Sequence, residues 1–107
     1  MRTFLVTFAL ILCAMVVFAV DQRKPKPHTV AIEGMRFQPE MLMVERGDTI
    51  VWVNKDLVPH TATSKAGNFD SKLIEADKSW KYTVRKEGDF AYICTFHPTM
   101  KAMLQVE

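Results

Sequence analysis

The sequence predicts an all-β protein, a sandwich or barrel of short strands, on three observations. From His28 onward apolar residues recur with a period of two. Clusters of turn-forming residues interrupt these runs at short, regular intervals. No segment shows a convincing amphipathic helix; residues 66–76 are ambiguous and are assigned to a loop.

The first segment stands apart from that pattern. Met1-Arg2 is a short positive start, Phe4 to Phe18 is an almost unbroken apolar run, and Val17-Phe18-Ala19 puts small residues before a cleavage point after Ala19. Residues 1–19 therefore have the layout of a secretory signal peptide, which implies export to the periplasm and no stable membrane association once removed. An uncleaved anchor is the rival, because the run falls only a little short of the ~17–20 residues that span a bilayer. Residues 20–27 contain Arg23-Lys24-Pro25-Lys26-Pro27 and read as an extended basic tether. Residues 28–107 are left as the folded domain.

Within it, Val30 and Ile32 alternate with Ala31 and Glu33 as a first strand. Gln38-Pro39-Glu40 separates this from Met41-Leu42-Met43-Val44, and Arg46-Gly47-Asp48 supplies the next turn. Thr49 to Asn54 is too apolar for a strand with one wet face, so it is expected at the centre of a sheet. Trp80, Tyr82 and Val84 alternate with Lys81, Thr83 and Arg85. Glu87-Gly88-Asp89 then turns the chain into Phe90-Ala91-Tyr92-Ile93-Cys94, where Phe90, Tyr92 and Cys94 share a face. Leu104 and Val106 close the domain.

Composition excludes several functions. Without residues 1–19 the chain keeps 13 basic and 12 acidic residues, a net charge of +1, and the basic residues are dispersed except in the tether. Nucleic acid would want a clustered basic patch, so it is not an expected partner. Of two cysteines, Cys13 lies in the apolar leader, which leaves Cys94 as the lone thiol of the mature chain. A lone thiol in an oxidising compartment calls for an occupant. No serine, paired carboxylates or glycine-rich loop stands out as catalytic machinery, and the chain is not expected to be an enzyme.

The occupant is suggested by Cys94-Thr95-Phe96-His97-Pro98-Thr99-Met100, which offers a thiolate, an imidazole and a thioether three residues apart. A second imidazole lies upstream at His60, in Val58-Pro59-His60-Thr61. Two His, one Cys and one Met form the donor set of blue-copper electron-transfer sites. Zinc would accept Cys and His but prefers a closed set of them to a thioether. Against this, a buried inert cysteine is the bland reading of Cys94 alone. His28 has no ligand-like spacing and is expected to be exposed. Met103 falls where the last strand should begin and suits packing better than ligation. Met35, Met41 and Met43 could suggest a methionine-rich Cu(I) store, but on alternating strands apolar packing explains them better.

From about Ile32 to Glu107 the chain resembles the cupredoxins, the small type 1 copper proteins. The resemblance rests on Phe37-x-Pro39, Gly47 to Asn54, Pro59-His60-Thr61 and the segment from Cys94 to Met100 followed by Gln105-Val106-Glu107. The two-residue gaps between donors are similar to the amicyanin spacing, and more loosely to plastocyanin and pseudoazurin. It implies a Greek-key β-sandwich of about eight strands holding one copper ion. It also implies that His60, Cys94 and His97 form a trigonal set with Met100 as the long axial ligand. Thr61 and Thr95 would hydrogen-bond across behind the ligands, and Pro59 and Pro98 would stiffen the backbone beside each histidine.

The resemblance further implies an electron carrier, monomeric, with His60 buried and the edge of His97 at the surface. Pro59, Phe96 and Pro98 would make an apolar docking patch for transient redox donor and acceptor proteins. In related multicopper enzymes histidines flank the cysteine; here Ile93 and Thr95 stand there. An exported module for copper sequestration or delivery is the alternative function.

Overall fold

The computed structural model describes residues 12–15 and 23–107. The expected cleavage point after Ala19 and most of the signal segment lie outside the described residues.

Among the described residues nine strands form two sheets and there is no helix. The first sheet has the order β2-β1-β4-β7, from β1 (Pro27–Ile32), β2 (Phe37–Gln38), β4 (Thr49–Asn54) and β7 (Ser79–Thr83). The second runs β3-β9-β8-β5-β6, from β3 (Met41–Val44), β5 (Thr63–Ser64), β6 (Phe69–Asp70), β8 (Gly88–Cys94) and β9 (His97–Val106). The all-β sandwich expected from the alternation is the fold observed.

β1 and β4 pair in parallel, as do β3 and β9, so the chain crosses between the sheets before pairing. β4 lies between β1 and β7, which explains its apolar composition. Alternate residues Ile50, Trp52 and Asn54 are buried on it. Gly47, at φ 96°, turns the chain into β4 in a conformation that a side chain would resist.

The alternation of each strand supplies the core between the sheets. Val30 and Ile32 meet Trp52 from one side, and Tyr92, Leu104 and Val106 come from the other. The Tyr92 ring stands edge-on to Trp52 at 5.6 Å and to Phe37 at 4.8 Å, a geometry favoured by aromatic quadrupoles. Burial pushes the Tyr92 phenol up to about 12, despite the Trp52 indole beside it.

Four sequence expectations are corrected. The stretch read as loop from residue 66 holds β6, which forms a small hairpin with β5; two-residue strands are too short to show a period. The last strand begins at His97, not near Met103, because the Cys94–Met100 segment is itself a hairpin. His28 is half-buried, not exposed, and its Nε2 lies 2.8 Å from Oδ2 of buried Asp48. Met35, Met41 and Met43 are 39%, 62% and 59% exposed, so they are not packed. For Met41 and Met43 the cause is position: β3 is an edge strand and its outward face is uncovered.

Asp48 also draws in the end of the basic tether. It accepts hydrogen bonds from the Lys26 N–H and from Arg23 Nη2, at 3.0 and 2.9 Å. Arg23 pairs with Glu45 as well.

Candidate metal centre

His60 enters the site on a loop held by backbone and side-chain hydrogen bonds. Asn54 at the end of β4 is fully buried and donates from Nδ2 to the carbonyls of Val58 and Ile74, at 2.8 and 2.9 Å. Its Oδ1 accepts from the Asp56 N–H at 2.9 Å. The backbone of His60 is then pinned on both sides by Ile74, whose carbonyl and N–H it meets at 3.1 and 2.8 Å. A loop so satisfied holds its imidazole in place without help from a ligand.

The ring of His60 is also oriented. Nε2 lies 2.8 Å from a carboxylate oxygen of Asp56. An acceptor there places the ring proton on Nε2, which leaves the Nδ1 lone pair free. Nδ1 faces Cys94 Sγ at 3.7 Å. Both side chains are fully buried.

Asp56 is held in turn by the N–H groups of Gly34 and Met35, at 2.7 and 3.0 Å. Burial alone would raise its carboxyl. The N–H groups of Met35 and Gly34 and the His60 ring outweigh that and hold it below the usual range. Sequence reasoning missed Asp56. Its one local signal is an acid four residues before His60, ahead of the apolar run Leu57-Val58-Pro59.

The other donors come from the β8–β9 hairpin. Cys94 ends β8 and pairs with His97, so only Thr95 and Phe96 make the turn. Next to this pair the register breaks: Ile93 faces Lys101, which leaves residues 98–100 without partners on β8. Met100, at the end of this bulge, is buried. Beyond it the alternation buries Ala102, Leu104 and Val106, whereas Met103 and Gln105 face outward. Met103 therefore lies on the face of β9 opposite that of Met100.

Thr61 and Thr95 meet beside Cys94. The Thr61 N–H donates to Cys94 Sγ at 3.4 Å, and the Thr95 N–H donates to Thr61 Oγ1 at 2.9 Å. The two hydroxyls lie 3.1 Å apart. The buried sulfur is thus fixed by a backbone donor from the segment that carries His60.

The His97 ring is half-buried, with its centroid 5.6 Å from that of His60. Among the described residues, no three His, Cys, Asp or Glu side chains are already drawn together at metal-holding spacing. Around this end Phe96 is 55% exposed and Pro59 and Pro98 are also exposed, together with Leu57 and Val58.

A family model described as a cupredoxin-like domain matches residues 4–106. Amicyanin from Paracoccus versutus is 30% identical over 83 residues, which are 73% of this chain and 63% of that protein. The match thus spans less than two thirds of that relative's length. The crystal structure of Paracoccus versutus amicyanin matches with a TM-score of 0.69 and 28% identity, over 76% of this chain and 81% of that one. A copper-containing nitrite reductase from Thermus scotoductus SA-01 matches with a TM-score of 0.72 and 28% identity. It covers 84% of this chain but only 25% of the reductase chain.

Proposed function

Since the chain belongs to the cupredoxin-like family, we propose that it is an electron carrier holding one copper ion on His60, Cys94, His97 and Met100. The observation that carries this reading is the approach of His60 Nδ1 to Cys94 Sγ at 3.7 Å in a fully buried setting. A thiolate, two imidazoles and a thioether suit copper in both oxidation states better than zinc or a hard cation. The residues fit the ion by this chemistry: a lone pair on Nδ1, a buried sulfur fixed by one N–H, and a buried thioether on the same hairpin. Bound there, copper supplies one-electron exchange between Cu(I) and Cu(II).

The protein's part is to hold donors that barely move. Ile74 and Asn54 fix the His60 loop, Thr61 fixes both Cys94 and Thr95, and the buried neighbours exclude water. His97, nearer the surface, serves as the electron port, with Pro59, Phe96 and Pro98 as the apolar contact for a transient redox partner. A monomer in the periplasm, matured by removal of residues 1–19, completes the reading. Among the described residues no helix is long and apolar enough to cross a membrane. The nitrite reductase likeness covers a quarter of a longer enzyme, and Ile93 and Thr95 flank Cys94 where wiring to a second copper would want histidine. We therefore read the chain as a carrier and not as an enzyme.

Titration of the metal-free protein with Cu(II) tests this. One equivalent should bind and give an intense visible charge-transfer band, which Cys94→Ser should abolish. Loss of copper to a chelator on every reduction cycle would favour a delivery module instead.

A further inference from the structure

The outward face of β3 and β9 carries three thioethers that the buried centre does not use. Met41 and Met43 lie on the edge strand β3, at 62% and 59% exposure, and Met103 is half-buried on β9. Met41 and Met103 are register partners in the parallel pair, so their side chains leave the same face of the sheet. Paired strands run about 4.8 Å apart, and Met43, two residues along, is displaced by about 6.6 Å. Methionine has three rotatable bonds, enough for three sulfurs rooted this closely to converge on one point.

The placement is unusual for packing or for protection of an edge. Exposed edge strands are ordinarily blunted with charged residues, above all lysine. Here both outward residues of β3 are methionines. Ala91, the residue opposite Met103 on β8, is exposed and too small to cover the sulfurs.

We propose that Met41, Met43 and Met103 form a surface site for a soft monovalent ion, Cu(I). Thioethers select Cu(I) over hard or borderline divalent ions. A thioether also has no proton to lose, whereas thiolate and imidazole sites bind in competition with protons. The surface site therefore keeps its ion in mild acid. The inference does not rest on the copper reading of the buried centre, since it uses none of that centre's residues.

Ag(I), a redox-inert probe of the same softness, titrated into the full chain with methionine-methyl NMR as the readout, tests the site. The methyl signals of Met41, Met43 and Met103 should shift together and saturate with one bound equivalent of their own, in the wild type after the Cys94 centre has taken its ion and in Cys94→Ser without that thiolate. M41L/M43L/M103L should lose that equivalent while keeping its amide spectrum and its visible band with Cu(II). Met43→Leu alone should weaken it, which covers the case of a triple variant that folds poorly. Met35, a solitary exposed thioether, is the control. If Met35 shifts in parallel without saturation, if only Met100 responds, or if the leucine variants keep the full stoichiometry, the surface site does not exist. Failure of the visible band with the methionine equivalent retained would overturn the buried copper centre alone.

Discussion

A carboxylate oxygen of Asp56 sits 2.8 Å from Nε2 of His60, four residues further along the chain. The contact decides which nitrogen of a fully buried imidazole carries the proton, and so which one faces Cys94. Asp56 is itself anchored by Gly34 and Met35, so the orientation of a candidate ligand is passed on from the β1–β2 turn.

Asp56→Asn should raise the reduction potential of the copper-loaded protein. Negative charge behind the imidazole favours the more positive oxidation state, and the amide removes it. A tenfold change in relative affinity for the two states corresponds to about 59 mV for one electron, and a shift of that order is expected. Voltammetry on both proteins decides the point; an unchanged or lower potential sinks the idea.

Met100→Leu and Met103→Leu should behave differently. The first removes a buried thioether beside the bulge, so the potential should rise. The second replaces an outward-facing side chain with one of similar volume, which should cost under ~1.5 kcal/mol and leave the potential alone. The reverse pattern would make Met103 the ligand.

Phe96→Glu places a charge on a side chain that is 55% exposed in the two-residue hairpin turn. Electron self-exchange should slow on the order of tenfold, about 1.4 kcal/mol on the barrier, because the docking contact is spoiled. The visible spectrum should be nearly unchanged, since the Phe96 side chain is exposed and is not one of the proposed donors. Stopped-flow or NMR exchange rates that equal the wild type would remove Phe96 from the docking patch.

Asp48 gives a stability prediction with a defined pH dependence. Burial would raise its carboxyl, but the Lys26 N–H, His28, the Glu45 N–H and Arg23 outweigh it and hold the group well below the usual range. A depressed folded pKa stabilises fully above the unfolded value of ~3.9 and loses that stability as pH falls toward the folded value. Asp48→Ala should therefore destabilise by about 3 kcal/mol at neutral pH, as for a broken buried pair. Urea unfolding should show the gap constant down to about pH 4 and narrowing below it. A gap that widens in acid would contradict the assignment.

Much of this protein was legible in local sequence. The alternation in β8 named the face that carries Phe90, Tyr92 and Cys94, because a strand's side chains have a fixed period of two, and the apolar run of β4 named it as a central strand. The donor residues were visible as types and spacings, since ligation chemistry depends on which atoms are offered. Local pattern also misled. Met41 and Met43 alternate like core residues, yet they lie on an edge whose outer face no element covers. Met100 turns inward and Met103 outward by the same period of two that buries Leu104 and Val106. Tertiary structure alone decided that residues 98–100 bulge between His97 and Lys101 against β8. It alone brought Thr61 to Cys94 and Gly34 to Asp56, contacts over 33 and 22 residues that no local period encodes. Residue types decide which donors a chain can offer; the pairing of distant strands decides where their lone pairs point.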